Sequence, residues 1–470
     1  MPPEDPRERR IAELMALVER LSARVAQLEA QVERLSRNST NSSKPPSSDP
    51  PGVDRPSQKP SGKKRGGQPG HEPCSRKLLP SDKVDVVVPL IPKTCGQCGA
   101  DLHGHDPEPH RHQVIEVPPI TPFVTEYQKH ALGCDECGAV TRAELPIGVP
   151  VSSFGPRLSA MLAILTAKYR LSKRSVRELL GDFLGVELSL GSVANVEQQV
   201  SAALEVPVVE AREYVRRADV VNADETSWRE NKKKAWLWVA ATSLVTVFVI
   251  AKSRGAAVAK DLLGESFAGT LTTDRWSAYN WLTTAWRQIC WSHLLRDFQS
   301  WVDGGGAGKR FGIALLVEAR RMFRWWHKVR DGTMTRENFA KKMRRVQLNI
   351  VMLLMQASEC RTRRVRGMAN EMLGLEWAFW TFIEKPGVEP TNNFGERQIR
   401  HAVLWRKSCF GTDSVVGSRF VERMLTTITT LRQQERNVLE FVTAACTARV
   451  NGSAAPSLVS DQAHAMLAAA

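Results

Sequence analysis

The chain has 470 residues, 42% of them hydrophobic and 24% charged, enough for about three domains with buried cores. Lys and Arg number 65 against 50 Asp and Glu, a net charge of +15 that favours a polyanionic partner. The charged start MPPEDPRERR excludes a secretory leader, and the longest uncharged run, 235–251, is too short and too rich in Thr and Ser for a membrane span. That run suits two buried strands with a turn near Thr242 and Ser243. Nine cysteines, four of them in two tight pairs, suggest metal binding in a reducing compartment rather than a disulfide framework.

Residues 8–36 carry a heptad, with Ile11, Val18, Val25 and Val32 at one seam position and Leu14, Leu21, Leu28 and Leu35 at the other. β-Branched residues at a and Leu at d favour a parallel two-stranded coiled coil, so a homodimer or higher assembly is expected. Residues 37–90 are poor in large apolar side chains and read as a flexible linker. Its basic cluster, Lys63, Lys64 and Arg65, either touches DNA phosphates or is simply solvated.

Residues 91–145 hold C-x2-C twice, Cys95 with Cys98 and Cys134 with Cys137, each pair followed by glycine. Four thiolates complete a tetrahedral Zn²⁺ site, and strands are expected over 113–117 and 123–132, as in a zinc ribbon. Residues 150–215 are helical: one helix over 172–184, a break at Gly185, and a second helix begun by Ser189 or Ser192. This is either a helix-turn-helix, with Asn195, Gln198 and Gln199 facing DNA, or an ordinary helical hairpin.

Residues 216–294 turn to strands, over 219–226, 234–242, 244–252 and 269–273, with a helix over 255–267. After Trp286 the chain is expected to be mostly helical. Residues 295–385 form a helical insertion, and within 296–370 there are 17 Lys or Arg against 6 Asp or Glu. Such a surface either binds DNA backbone or is a solvated face, and its tryptophans either stack on bases or fill a core. Residues 386–448 complete the preceding strand-rich domain, and 449–470 read as a disordered tail.

Three carboxylates carry the chemistry. Asp224 and Asp274 follow apolar strands, 50 residues apart, and Glu396 lies on a helix begun by Thr391 or Asn392. Along a strand neighbours point to opposite faces, so Asp224 and Glu225 cannot share a site. Strand-end Asp, strand-end Asp and helical Glu suit a multidomain α/β chain with a ribonuclease-H-like core holding two Mg²⁺ (or Mn²⁺) ions. Cys290 and His293, spaced i and i+3, are candidates for supporting that site rather than for binding metal. Arg400, one turn beyond Glu396, is a better candidate than Arg397 for a phosphate contact.

The chain resembles the DDE transposases of the IS-sixty-six insertion-sequence group. The marks are NSSKPPSSD at 41–49, GGQPGH at 66–71, the C-x2-C pairs, DET at 224–226, TDRWSAY at 273–279, CWSH at 290–293 and NNFGERQIR at 392–400. The resemblance implies Asp224, Asp274 and Glu396 as metal-binding triad, a zinc-finger module, and cleavage and strand transfer of DNA. It also implies companion proteins of the insertion sequence and a cytoplasmic, nucleoid-associated setting, without a membrane. Two places depart from the family: Arg275 and Trp276 stand where Gly-Tyr is common, and Leu294 and Leu295 where basic residues usually follow the histidine. The rival readings are a non-catalytic zinc-containing DNA-binding regulator and a metal-dependent nuclease that does not join strands.

Overall fold

The computed structural model describes residues 6–36, 38 and 77–468. Most of the expected linker, with Lys63, Lys64 and Arg65, lies outside the described residues. The chain divides into a unit of residues 54–123 and a second of residues 1–53 and 124–470.

In the smaller unit the described chain begins within the span expected to be linker, and part of it is anchored. The Leu79 N–H donates to Gln113 Oε1 at 2.8 Å, and its carbonyl accepts from Arg111 and Gln113. The strand expected over 113–117 is absent: residues 114–117 are exposed and form no ladder with any other described segment. β-Branched composition alone does not make a strand where no ladder partner is available.

The larger unit opens with helix α1, Pro6–Ser36, whose Leu14, Leu21, Leu28 and Leu35 are all exposed in the single chain. Of the strand expected over 123–132 only the end forms, as β1, Ala131–Gly133, pairing antiparallel with β2, Val140–Arg142. Four helices follow: α2 (Pro156–Ala167), α3 (Lys173–Leu184), α4 (Leu190–Ala203) and α5 (Glu205–Arg217). Ser172 caps α3 by accepting the Ser175 N–H, and Ser189 caps α4 by accepting the Ser192 N–H. Gly185 ends α3 at φ +62°, a conformation only glycine adopts without strain.

Strands β3 (Val220–Glu230), β4 (Lys233–Ala241) and β5 (Thr246–Ala251) form an antiparallel meander. Helix α6 (Ala256–Leu263) returns the chain to β6 (Thr270–Thr273), which lies parallel to β3. A further strand, β7 (Arg287–Ile289), lies parallel to β6 in a stretch expected to be mostly helical; three residues are too few to show a period. The sheet order is β5-β4-β3-β6-β7.

Helices α7 (Trp291–Asp303), α8 (Gly306–Arg330), α9 (Arg336–Ser358), α10 (Arg363–Gly374) and α11 (Thr381–Glu384) form the insertion. They enclose a core of their own. Trp301 and Trp326 are buried in it, and the Trp326 and Phe382 rings meet edge-on at 5.1 Å. Trp301 and Trp326 are therefore core residues, Lys342 covers the half-buried Trp325, and Trp377 is exposed. Helices α12 (Asn393–Cys409) and α13 (Val415–Gln433) then return to the sheet, and α14 (Val438–Asn451) packs on α2 and α4. No helix among the described residues is long and apolar enough to cross a membrane.

Over residues 457–463 the expectation of a disordered tail is overturned. Leu458, Val459 and Ala463, the last on helix α15 (Asp461–Ala468), are buried in the main core. The Glu210 carboxylate accepts from Ser457 Oγ and the Leu458 N–H, and the Leu458 carbonyl accepts from Gln434 Nε2. Alanine- and serine-rich composition concealed this short apolar anchor. Leu458→Ala should therefore lower unfolding free energy by about 2–5 kcal/mol, read as a lower denaturant midpoint. An unchanged midpoint would mean that the tail is not packed.

Candidate active site

β3 is the central strand, and Asn222 pairs with Thr272 of the parallel β6. Asp224 and Asp274 each lie two residues further on: Asp224 returns to the face that Asn222 presents, while Asp274, just past the end of β6, lies at the strand end, where its charge reaches Asp224, Glu225 and Glu396. Glu396 comes to them from the first turn of α12. That turn is clamped to the sheet by buried Asn392. Its Nδ2 donates to the Ala223 carbonyl at 2.8 Å, and its Oδ1 accepts from Asn222 Nδ2 at 2.9 Å. Gly395 permits the approach, since a Cβ there would stand 2.8 Å from Asn392 Oδ1.

The insertion is tied to the same point. The Cys290 N–H donates to the Thr273 carbonyl at 2.7 Å, and Cys290 Sγ accepts the Asn392 N–H at 3.1 Å. The Trp291 N–H donates to the Pro390 carbonyl at 2.9 Å. Cys290 thus bridges the end of β6 and the start of α12. Its burial pushes the thiol above its usual range, which suits a hydrogen-bond acceptor rather than a reactive nucleophile.

The electrostatics are those of crowded carboxylates. Burial raises the Asp224 carboxyl well above its usual value, and the charges of Glu225, Asp274 and Glu396 raise it further. Burial and Asp274 also raise Glu396, against the pull of Arg296. His293 Nδ1 lies 3.8 Å from Glu396 Oε1, but burial and Arg296 hold the imidazole down at about 4, so at neutral pH this is no ion pair. Both atoms are buried without a hydrogen-bond partner. Cys290, His293 and Glu396 offer ligand atoms within 4.8 Å of one another. Mutually repelling carboxylates and orphaned acceptor atoms fit a divalent cation, which supplies the missing charge and the missing partner.

The model of a family described as "Transposase IS66 family" matches residues 151–419, more than half of the chain. The chain belongs to this transposase family. The zinc-finger binding domain of transposase IS66 matches residues 92–138, and a family of unknown function matches residues 2–77. No curated protein matches the chain. A transposase acts on DNA, in accord with the basic charge.

The zinc-finger match spans both cysteine pairs of the transposase, and each forms the same turn. Cys95 N–H donates to Ala100 O and Gly99 N–H to Cys95 O, with Gly99 at φ +76°. Cys134, Ala139 and Gly138, at φ +70°, repeat this. Backbone N–H groups of Cys98 and Gln97 lower the Cys95 thiol, and those of Cys137 and Glu136 lower Cys134, as metal thiolates require.

Asn195, Gln198 and Gln199 lie exposed on α4. Arg397 and Arg400 are exposed on α12, Arg397 over the Phe394 ring at 5.8 Å. Glu225 points away from the α12 face. It accepts Tyr279 Oη at 2.7 Å and Arg254 Nε at 2.8 Å. Sequence reading passed over Gly395, Tyr279 and Arg254. The glycine inside a helix start was the one available signal; Arg254 lies in an unremarkable loop after β5.

Asp224 titrates higher in the folded chain than unfolded, so its contribution to stability is complete below its ordinary value of 3.8 and is lost as pH rises through the raised value. Without metal, Asp224→Asn should therefore be more stable than the parent at neutral pH, the gap closing in acid. Added divalent ions should raise the melting temperature of the parent and not of the variant. A less stable variant at pH 7 would contradict this electrostatic picture.

Proposed function

We propose that the protein is a DDE transposase with a ribonuclease-H-like catalytic domain, in which Asp224, Asp274 and Glu396 hold two Mg²⁺ (or Mn²⁺) ions for cleavage and strand transfer at the ends of an insertion sequence. The observation that carries this reading is the meeting of two strand-borne aspartates and one helix-borne glutamate at the central strands of a sheet ordered β5-β4-β3-β6-β7. An antiparallel meander joined to two parallel strands is the sheet expected of that fold. When bound, the ions activate the attacking oxygen and stabilise the leaving oxygen of a phosphodiester.

The protein's own groups set the frame. Asn392 fixes the start of α12 against β3 and so the reach of Glu396. His293 stays neutral beside Glu396, its Nδ1 without a hydrogen-bond partner and able to be given to an ion. Arg397 and Arg400, exposed along α12, suit contact with the phosphate backbone. The solvent-facing sides of α3 and α4 and the basic insertion supply further DNA-binding surface, and each cysteine knuckle offers two thiolates to Zn²⁺. The exposed apolar seam of α1 suits self-association, which would bring two element ends together by raising effective concentration. Companion proteins of the element and a cytoplasmic, nucleoid-associated setting accord with this role.

Asp224→Asn, Asp274→Asn and Glu396→Gln should each reduce Mg²⁺-dependent cleavage and joining of a labelled element end to background, while gel-shift affinity for that DNA stays within about threefold, since neutral amides are poor Mg²⁺ ligands. Near-parental nicking by any of the three would remove that residue from the triad. Cleavage without joined products in the parent would favour a nuclease.

A further inference from the structure

On the face of β3 turned away from α12, a second group of side chains adjoins Asp274. Glu225 is buried there, and Arg254 meets its Oε1 twice, through Nε at 2.8 Å and Nη2 at 2.7 Å. Tyr279, itself buried, donates its hydroxyl to Glu225 Oε2 at 2.7 Å. The Arg254 guanidinium lies 3.9 Å from the centre of the Trp276 ring and 4.8 Å from that of Trp236. Trp276 is fixed in turn: its Nε1 donates to the Arg254 carbonyl, and its backbone N–H donates to Asp274 Oδ1, both at 2.8 Å.

This arrangement does more than neutralise a buried carboxylate. A lysine would supply the charge, but only a planar guanidinium stacks on indole rings while presenting a fork. Glu225 takes one edge of that fork. Nη1 has no hydrogen-bond partner among the described residues, and the Arg254 side chain keeps 28% of its surface open to solvent. Arg254 Nη2 stands 3.9 Å from Asp274 Oδ2, too far for a hydrogen bond but near enough to place the open edge beside the reacting centre.

We propose that Arg254 is a DNA-backbone contact, its open edge receiving a non-bridging oxygen of a phosphate that adjoins the one held at Asp274, with Glu225, Tyr279 and Trp276 as positioning residues. This rests on the transposase reading, because it places the DNA strand at Asp274. The ligand class is a phosphodiester, bound by charge-assisted hydrogen bonds to a preorganised guanidinium.

The test uses the full-length protein in Ca²⁺ and a duplex carrying the terminal inverted repeat of its own element, with binding as readout. Arg254→Ala should weaken binding about tenfold and lower the slope of log K against log salt by about 1, the loss of one phosphate contact. Arg254→Lys, which keeps charge and bulk, should recover the slope but not the full affinity. A methylphosphonate scan of the duplex should find one position at which neutralising the phosphate weakens the parent and has no further effect on Arg254→Ala. Equal losses in parent and variant at every position, or an unchanged salt slope in Arg254→Ala, would overturn the proposal. Because binding alone is read, failure here leaves the triad substitutions to stand or fall on cleavage.

Discussion

The first turn of α12 can meet β3 as closely as it does because residue 395 is a glycine and residue 392 an asparagine. A side chain at 395 would collide with Asn392 Oδ1, and without Asn392 the Ala223 carbonyl would lose its buried donor. This contact fixes where Glu396 stands. It also fixes the insertion, whose two junctions with the sheet domain meet here: Cys290 joins the Thr273 carbonyl to the Asn392 N–H, and Trp291 joins Pro390. An insertion of more than ninety residues between β7 and α12 is therefore tolerated at the site because both of its ends are pinned to the same strand ends.

The second constraint is charge. Asp224, Glu225, Asp274 and Glu396 crowd one region of the sheet, and burial makes their mutual repulsion expensive. The fold separates them by strand parity. Glu225 is neutralised by Arg254 and Tyr279 on one side, whereas Asp224 and Glu396 stay under the mutual repulsion that raises both. Local instability is thereby kept where a metal can relieve it, a common relation between function and stability. Elsewhere the excess of Lys and Arg gives the chain a net charge of +15, which favours the approach of a polyanion such as DNA.

Much of this was legible in the sequence because it is written in short-range chemistry. Ser172, Gly185 and Ser189 mark the bounds of α3 and α4 by capping, which needs only local hydrogen bonds. Asp224 and Asp274 follow apolar runs that only a buried strand explains. The errors lie where tertiary partners decide. The 113–117 segment has strand composition without a neighbour, β7 has a neighbour without a readable period, and Leu458 and Val459 anchor a tail whose composition suggests disorder. Arg254 was invisible for the same reason: it matters through Glu225, Trp236 and Trp276, brought beside it by the sheet and its loops.

The central claim is that Asp224, Asp274 and Glu396 jointly hold divalent ions against DNA. Diffraction from crystals of the protein with an element end and Mn²⁺, recorded at the manganese edge, tests it most directly. The expected result is two anomalous peaks, each bounded by carboxylate oxygens of the triad and a phosphate oxygen of the DNA. A fully occupied peak bound by Cys290 and His293, with none touching Asp224 or Asp274, would contradict it.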